Sequence, residues 1–388
     1  MSTIFFTESL QTEAVGHDQI IRQILGLQKQ GYLCLLLCVS GSYLSNEAQK
    51  QGIWTEHLRF RNAFDPLSLI KMVSFLRNYE PVSVISHSSH DSNLSAMAVH
   101  ALHKLGVLKY RPQLIRVRNR KPHSTHAISY NLLFDYTLTP SASFRDQLLS
   151  DSAILPHKVK VLYPDVQPPA LIEFDQKRVA PELQAMLDDA SRRPLIAHVG
   201  EVSAQSGHTF MLDVVQKLLT DFPKMTYLVL RQGSQLQALE SEVTRKGLGG
   251  AVFFASPADF KICMESKTNA LVMPFHQEPA DCPQLQALSA GIPLVLSQVG
   301  GLPEAIKNNE TGYVCPPPFA SGAVDAWCRT LSGVLKDPAT SSQVASRGRE
   351  SILSQFGLEN HLKGLIALFQ RVALPGARGN KSKRREPS

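Results

Sequence analysis

The chain has 388 residues, 43% hydrophobic and 19% charged, which is too long for one ordinary domain and too apolar for a disordered chain. No apolar run nears the roughly 18 residues that span a bilayer, and MSTIFFTESLQTE has neither a basic n-region nor a long apolar stretch, so it does not read as a secretory signal. The net charge of +7 gathers in two places: a tail with Arg378, Lys381, Lys383, Arg384 and Arg385 against Glu386 alone, and a stretch with Lys104, Lys109, Arg111, Arg116, Arg118, Arg120 and Lys121.

In chain order, Ile4–Thr7 reads as a strand. Asp18–Lys29 comes next, with Ile20, Ile21, Ile24, Leu25 and Leu27 at helical spacing. Gly31 stops that helix before a buried strand, Tyr32–Val39. Leu67–Asn78 is predicted as a helix, Val82–Ser86 as a strand, Asn93–Leu105 as a helix and Gln113–Val117 as a strand. The second half repeats the alternation: strands at Pro194–Val199, Met225–Leu230, Ala251–Phe254, Ala270–Pro274 and Pro293–Leu296. Helices are expected at Thr209–Leu218, Gln235–Arg245, Asp259–Ser266, Gln284–Ser289 and Leu302–Ile306. Strands separated by helices imply βαβ units and parallel sheets covered on both faces.

Pro164, Pro168, Pro169, Pro181 and Pro194 mark a linker between the halves. The expected division is an N-terminal Rossmann-like domain over 1–166, a linker over 167–193 and a C-terminal Rossmann-like domain over 194–354. A helix over 355–374 and a basic tail over 375–388 complete the chain. The fold class expected is α/β, with two doubly wound sheets facing a cleft, where ligands sit at the carboxyl ends of strands.

The stretch richest in chemistry is PFHQEPADCPQLQALSAGIPLVLSQVGGLPE, residues 274–304. A strand ends at Pro274, and a polar loop with Glu278 and Asp281 comes after it. A short helix starts near Pro283, with Asp281 as its expected cap, and stops at Gly291. The next strand leads into Gly300-Gly301, a turn where backbone approaches a ligand closely. The free amides near Pro283 suit an anion.

This segment resembles the nucleotide-sugar site of retaining glycosyltransferases with the GT-B fold, family 4. Their pattern is Glu, seven residues, a second Glu, Gly-x-Pro, an apolar strand and Gly-Gly-x-x-Glu; here Glu278, Gly291, Pro293, Gly300, Gly301 and Glu304 fall in register. Gly16-His17-Asp18 resembles the family's first glycine-rich loop. The segments holding His87 and Arg118 resemble its acceptor side, and Gly200 and Gly207 its first donor-domain loop. Gln355-Phe356 and the helix after it resemble the C-terminal helix that returns to the N-domain. The likeness covers the chain to about residue 372.

The resemblance implies Glu278 as the catalytic residue and a donor site formed with Gly200, Glu201, Ser206, Gly207, Arg231, Asp281, Cys282, Pro283 and Gln286. It implies acceptor binding by Gly16, His17, His87 and Arg118, and no metal or cofactor. Three positions depart from the pattern. Glu201 and Ser206 stand where Arg and Lys hold the diphosphate, and Gln286 stands for the second Glu, keeping an acceptor oxygen for the ribose. Arg231, His208 and His276 are the replacement cations nearest by loop position.

The six cysteines, Cys34, Cys38, Cys263, Cys282, Cys315 and Cys328, have neither CxxC nor zinc-ligand spacing and read as reduced thiols of a cytoplasmic protein. The expected partners are a nucleotide sugar and a glycan or glycolipid acceptor in cell-surface polysaccharide or lipopolysaccharide synthesis. The basic regions add an anionic membrane face. Nucleic acid is not expected, since aromatic residues do not interleave with the cations. The alternative reading is a catalytically degenerate GT-B protein acting as scaffold or partner subunit. A sugar-nucleotide epimerase would need an acid and base set that the sequence does not offer.

Overall fold

A computed structural model describes residues 2–14, 16–61, 65–119, 127–150, 153–166, 181, 185, 188, 189, 193–256, 268–279 and 282–369. The expected linker and the helix over Asp259–Ser266 lie largely or wholly outside these residues. Asp281, Cys263, Arg120, Lys121 and the basic tail lie outside them too.

In the N-terminal half the strands are β1 (Thr3–Glu8), β2 (Leu33–Cys38), β3 (Thr55–His57), β4 (Ser83–Ser86), β5 (Gln113–Val117), β6 (Tyr136–Thr139) and β7 (Val159–Val161). Between them run helices α1 (His17–Lys29), α2 (Tyr43–Lys50), α3 (Pro66–Tyr79), α4 (Ser89–Lys104) and α5 (Ala142–Ser150). All pairs are parallel, in the order β3-β2-β1-β4-β5-β6-β7. β2 reads LCLLLC because its neighbours cover both of its faces, so strict alternation is lost. The expected strands and helices here are present within a residue or a few of their bounds. α2, β3, β6, α5 and β7 were not expected, because short elements over Tyr43–Lys50 or Val159–Val161 carry too few apolar residues to show a period.

The second sheet has the order β10-β9-β8-β11-β12-β13, again parallel. Its strands are β8 (Leu195–His198), β9 (Thr226–Leu230), β10 (Val252–Ala255), β11 (Ala270–Met273), β12 (Leu294–Ser297) and β13 (Tyr313–Cys315). The helices are α6 (His208–Leu218), α7 (Leu236–Arg245), α8 (Pro283–Ser289), α9 (Ala323–Lys336), α10 (Pro338–Phe356) and α11 (Leu358–Phe369). The helix expected over Leu302–Ile306 is a single 3-10 turn, Leu302–Ala305, because Pro303 and the preceding glycines leave room for no more.

Both sheets are therefore doubly wound, with order reversing between β1 and β4 and between β8 and β11. These are the switch points where ligands bind such folds. The chain returns to the first half at its end: Val166 N donates to Phe356 O (2.8 Å), and α11 then packs on α1. Leu362, Leu365, Leu368 and Phe369 join the core of Ile20, Ile24 and Leu27. Gly26 leaves the space that Leu362 fills.

Candidate functional site

On the first sheet, β1 delivers Glu8 to the cleft. The loop after it closes through Gly16, whose φ of 96° places α1 directly behind it. His17, 1% exposed, accepts from Ala14 N at Nδ1 (3.3 Å), which leaves Nε2 protonated and 3.8 Å from Glu8 Oε2. Glu8 accepts from Leu10 N (2.9 Å) and from Ser88 Oγ. Burial pushes its carboxyl upward, but the nearby His17 ring, the charge of His87 and the Ser88 and Leu10 donors outweigh it and hold the group below its ordinary value.

Asp91, fully buried on α4, accepts from Thr7 Oγ1 (2.8 Å) and His87 N (3.0 Å). Burial and then the Glu8 charge push it well above the carboxylate range. His87 is anchored at Nδ1 to Thr7 O (3.1 Å), and burial lowers its pKa. Arg118 lies just past β5, its N bonded to Leu138 O (2.9 Å). Its neighbour Arg116 turns into the core, its guanidinium 3.9 Å from the Tyr130 ring centre and 4.3 Å from that of Phe134. Gly16, His87 and Arg118 line one cavity of about 490 Å³ with Glu8 and Ser88.

A second cavity, also about 490 Å³, shares Gly16, Gln19, Asn119, Pro140 and Pro164 with the first and reaches across the cleft to Cys282, Leu285 and Gln286. His17 and Arg22 belong to this one. Arg22 is engaged by Asp165, with Nε to Oδ2 at 2.7 Å and Nη2 to Oδ1 at 3.1 Å. Gln286 is exposed on α8, so its amide faces the cleft edge. The residue before this helix is Cys282, in a left-handed conformation (φ 49°), with Pro283 at the first position; among the described residues no side chain caps it. The expected cap, Asp281, is outside the described residues.

Glu278 lies in the loop after β11. Its Oε1 accepts from Ser141 Oγ (2.5 Å) of the first half. Gly300 and Gly301 lie flush against its side chain: a Cβ on Gly300 would fall 2.5 Å from Glu278 Cβ. The resemblance's glycine turn is thus the floor under this carboxylate. Glu304, two residues beyond Leu302, accepts from Ala142 N (2.9 Å), Ser143 N (2.6 Å) and Tyr163 Oη (2.7 Å).

The first loop of the second sheet is organised differently. Gly200 (φ 110°) runs beside Phe275, and Gly207 (φ 74°) admits no side chain because the Pro274 carbonyl lies against it. Ser206 is fully buried; its Oγ bonds Ser203 N (3.0 Å) and His208 Nδ1 (2.7 Å). His208 stacks on His198 at 3.5 Å, and His198 bonds Tyr227 Oη (2.6 Å) and Ser206 O (2.9 Å). Burial pushes His208 down to about 3, so it is neutral and turned inward. This corrects the expectation of His208 as a replacement phosphate cation. Glu201 is exposed and accepts from Gln232 Nε2 (2.5 Å); Arg231 pairs with Glu240 (3.3 Å). Neither lines the two cleft cavities. His276 lines a separate pocket of about 310 Å³ with Gly207 and His208.

Residues 181–351 match the family described as glycosyl transferases group 1. The second half of the chain is thus similar to the glycosyl transferases of group 1. Over 174 residues it is 29% identical to a glycogen synthase of Mycobacterium tuberculosis, covering 43% of this chain and 41% of that protein, so the match spans about two fifths of the curated relative. A glycosyltransferase crystal structure from Rickettsia africae superposes with a TM-score of 0.78 at 15% identity, over 95% of this chain and 98% of the other. Anabaena Alr3699/HepE in complex with UDP and glucose gives a TM-score of 0.74 at 14% identity, over 96% and 100%. At these identities the structures establish the GT-B fold.

Sequence reasoning did not single out Glu8, Ser141, Tyr163 or the capping role of Glu304. Ser141 had a signal, since a serine between Pro140 and a helix is a common N-cap. Glu8 had none, because a carboxylate ending a strand looks like any solvated residue. Among the described residues no group of three or more His, Cys, Asp or Glu is arranged to hold a metal. The five described cysteines are buried and none is in a disulfide.

Proposed function

We propose that this protein transfers a sugar from a nucleoside diphosphate sugar to a hydroxyl of a glycan or glycolipid, with retention of anomeric configuration. The observations that carry this are two cavities that share lining residues, the second reaching from the first half to Gln286 on α8, and a glutamate, Glu278, seated on a double-glycine turn in the loop before that helix. In this reading the diphosphate lies at the N-terminal end of α8, where the helix dipole favours an anion, and Gln286 meets the ribose. Glu278 accepts hydrogen bonds from the donor sugar's hydroxyls. The acceptor enters the first cavity, where Glu8, His87 and Arg118 offer both charges. No side chain is needed as base: the anomeric C–O bond breaks, the departing diphosphate oxygen takes the acceptor's proton, and the acceptor oxygen bonds the anomeric carbon. The protein contributes position and charge stabilisation. Family relatives and the UDP and glucose bound by the Anabaena protein support a nucleotide-sugar donor.

The setting that fits the basic regions is assembly of cell-surface polysaccharide or lipopolysaccharide at the cytoplasmic face of a membrane, with no cofactor beyond the donor. Incubation with radiolabelled UDP- and GDP-sugars and a glycan or glycolipid extract tests this. Label should move to acceptor, and Glu278→Ala should lower turnover by about 100-fold, the scale of losing a charged transition-state contact. Equal activity in the variant would remove Glu278 from the site.

A scaffold reading is favoured by one observation: Ser206 is buried and Glu201 carries negative charge where cations would hold a diphosphate. Absence of UDP and GDP binding by calorimetry, together with silence in the transfer assay, is its signature.

A further inference from the structure

We propose that Glu304 clasps the two halves across the cleft and that this clasp seats Ser141 on Glu278, making both positioning residues for the donor site. The role given to Ser141 rests on the proposed transfer reaction, in which Glu278 faces the donor sugar.

The geometry is directional. Ala142 and Ser143 open α5, and their amides have no partner inside the helix. Both point instead at the Glu304 carboxylate of the other half, at 2.9 and 2.6 Å. Two charge-assisted bonds at the positive end of a helix dipole make a strong anchor. Tyr163 Oη supplies a third donor at 2.7 Å, and its ring stands edge-on to Phe356 at 5.0 Å. The clasp is therefore continuous with the point where the chain crosses back.

Ser141, one residue before α5, has its own hydroxyl oriented by the same helix. Phe144 N donates to Ser141 Oγ (3.0 Å), which leaves the hydroxyl hydrogen for Glu278 Oε1 at 2.5 Å. Gly300 and Gly301 close the other side of the carboxylate. Among the described residues Ser141 is the one side-chain donor to Glu278. Parting the halves would withdraw it and leave the glutamate free to rotate, so closing the cleft completes the sugar-binding wall.

The test uses full-length protein labelled at Gln147→Cys on α5 and Lys307→Cys beyond the 3-10 turn, both exposed positions. Pulsed electron paramagnetic resonance reads the distance between the labels. Glu304→Ala should lengthen and broaden the distribution, while Glu304→Gln, which keeps an acceptor oxygen, should restore part of it. Ser141→Ala should leave the distance unchanged and lower kcat about tenfold, with the Kd for UDP unaltered. An unchanged distribution in Glu304→Ala overturns the clasp, and wild-type kcat in Ser141→Ala overturns the seat. A wild-type protein silent with every nucleotide sugar would sink the proposed reaction but not the clasp, which the labels read without turnover. In that case Ser141→Ala must still speed hydrogen exchange over residues 298–304 for the seat to stand.

Discussion

Ser206 stands where the family resemblance expects a lysine, and its burial shows what replaced the charge. A lysine there would reach outward to phosphate; the serine hydroxyl instead closes its own loop onto Ser203 and His208. Glu201 is different, because it is exposed and held only by Gln232. Glu201→Arg should therefore exchange a repulsive charge for a planar donor and tighten UDP about fivefold at low salt, with less gain as salt rises. Calorimetry at two salt concentrations reads this; weaker binding in the variant would mark Glu201 as a working residue of the native site. Ser206→Lys should behave oppositely to what sequence alone suggests. Forcing a long side chain into a filled position costs about 1–3 kcal/mol, visible as a lower Tm without tighter binding.

At the scale of elements, β8 and α6 are joined by the stacked rings of His198 and His208. Burial lowers both pKa values, His208 to about 3 and His198 well below its ordinary value, with the His208 ring adding to the second. In the unfolded chain each imidazole takes up its proton near pH 6.5. Between that pH and about 3 the unfolded state binds more protons, so stability rises with pH and is lost as pH falls below about 6.5. Each buried imidazole adds a slope of roughly 1.4 kcal/mol per pH unit. Thermal unfolding should thus drop more steeply between pH 7 and 5 in the wild type than in His208→Gln, whose side chain does not titrate. Parallel curves for the two proteins would exclude the pair as the acid-sensitive joint.

For the whole molecule, charge is uneven: +7 overall, with cations concentrated in the tail and around α4 and β5. Lys104 and Lys109 flank Leu105 and Val107, two apolar side chains left 74% and 43% exposed. Apolar residues beside cations suit an anionic bilayer surface, at about 1 kcal/mol per cation at low salt. No described helix is long and apolar enough to cross a membrane. Removing residues 378–388 should reduce sedimentation with phosphatidylglycerol vesicles, and more so at low salt. Equal sedimentation of full-length and truncated protein would show that the tail contributes nothing to binding.

The two parallel sheets are written into local pattern, since buried strands such as LCLLLC and amphipathic helices such as α1 carry their periods within themselves. The loop of Glu278 and the glycine turn are legible in the same way, because these lie 22 residues apart on neighbouring strands of one sheet. Short, weakly apolar elements such as β3 and β7 escape such a reading, being fixed by pairing with a neighbour rather than by their own pattern. It takes the packed molecule to make Gly300 the wall of Glu278, to turn Ser206 and His208 inward, and to bring Glu304 to Ala142, Ser143 and Tyr163. These contacts join residues up to 162 positions apart. Their partners are chosen by how two sheets and a returning helix face one another, and no local spacing encodes that.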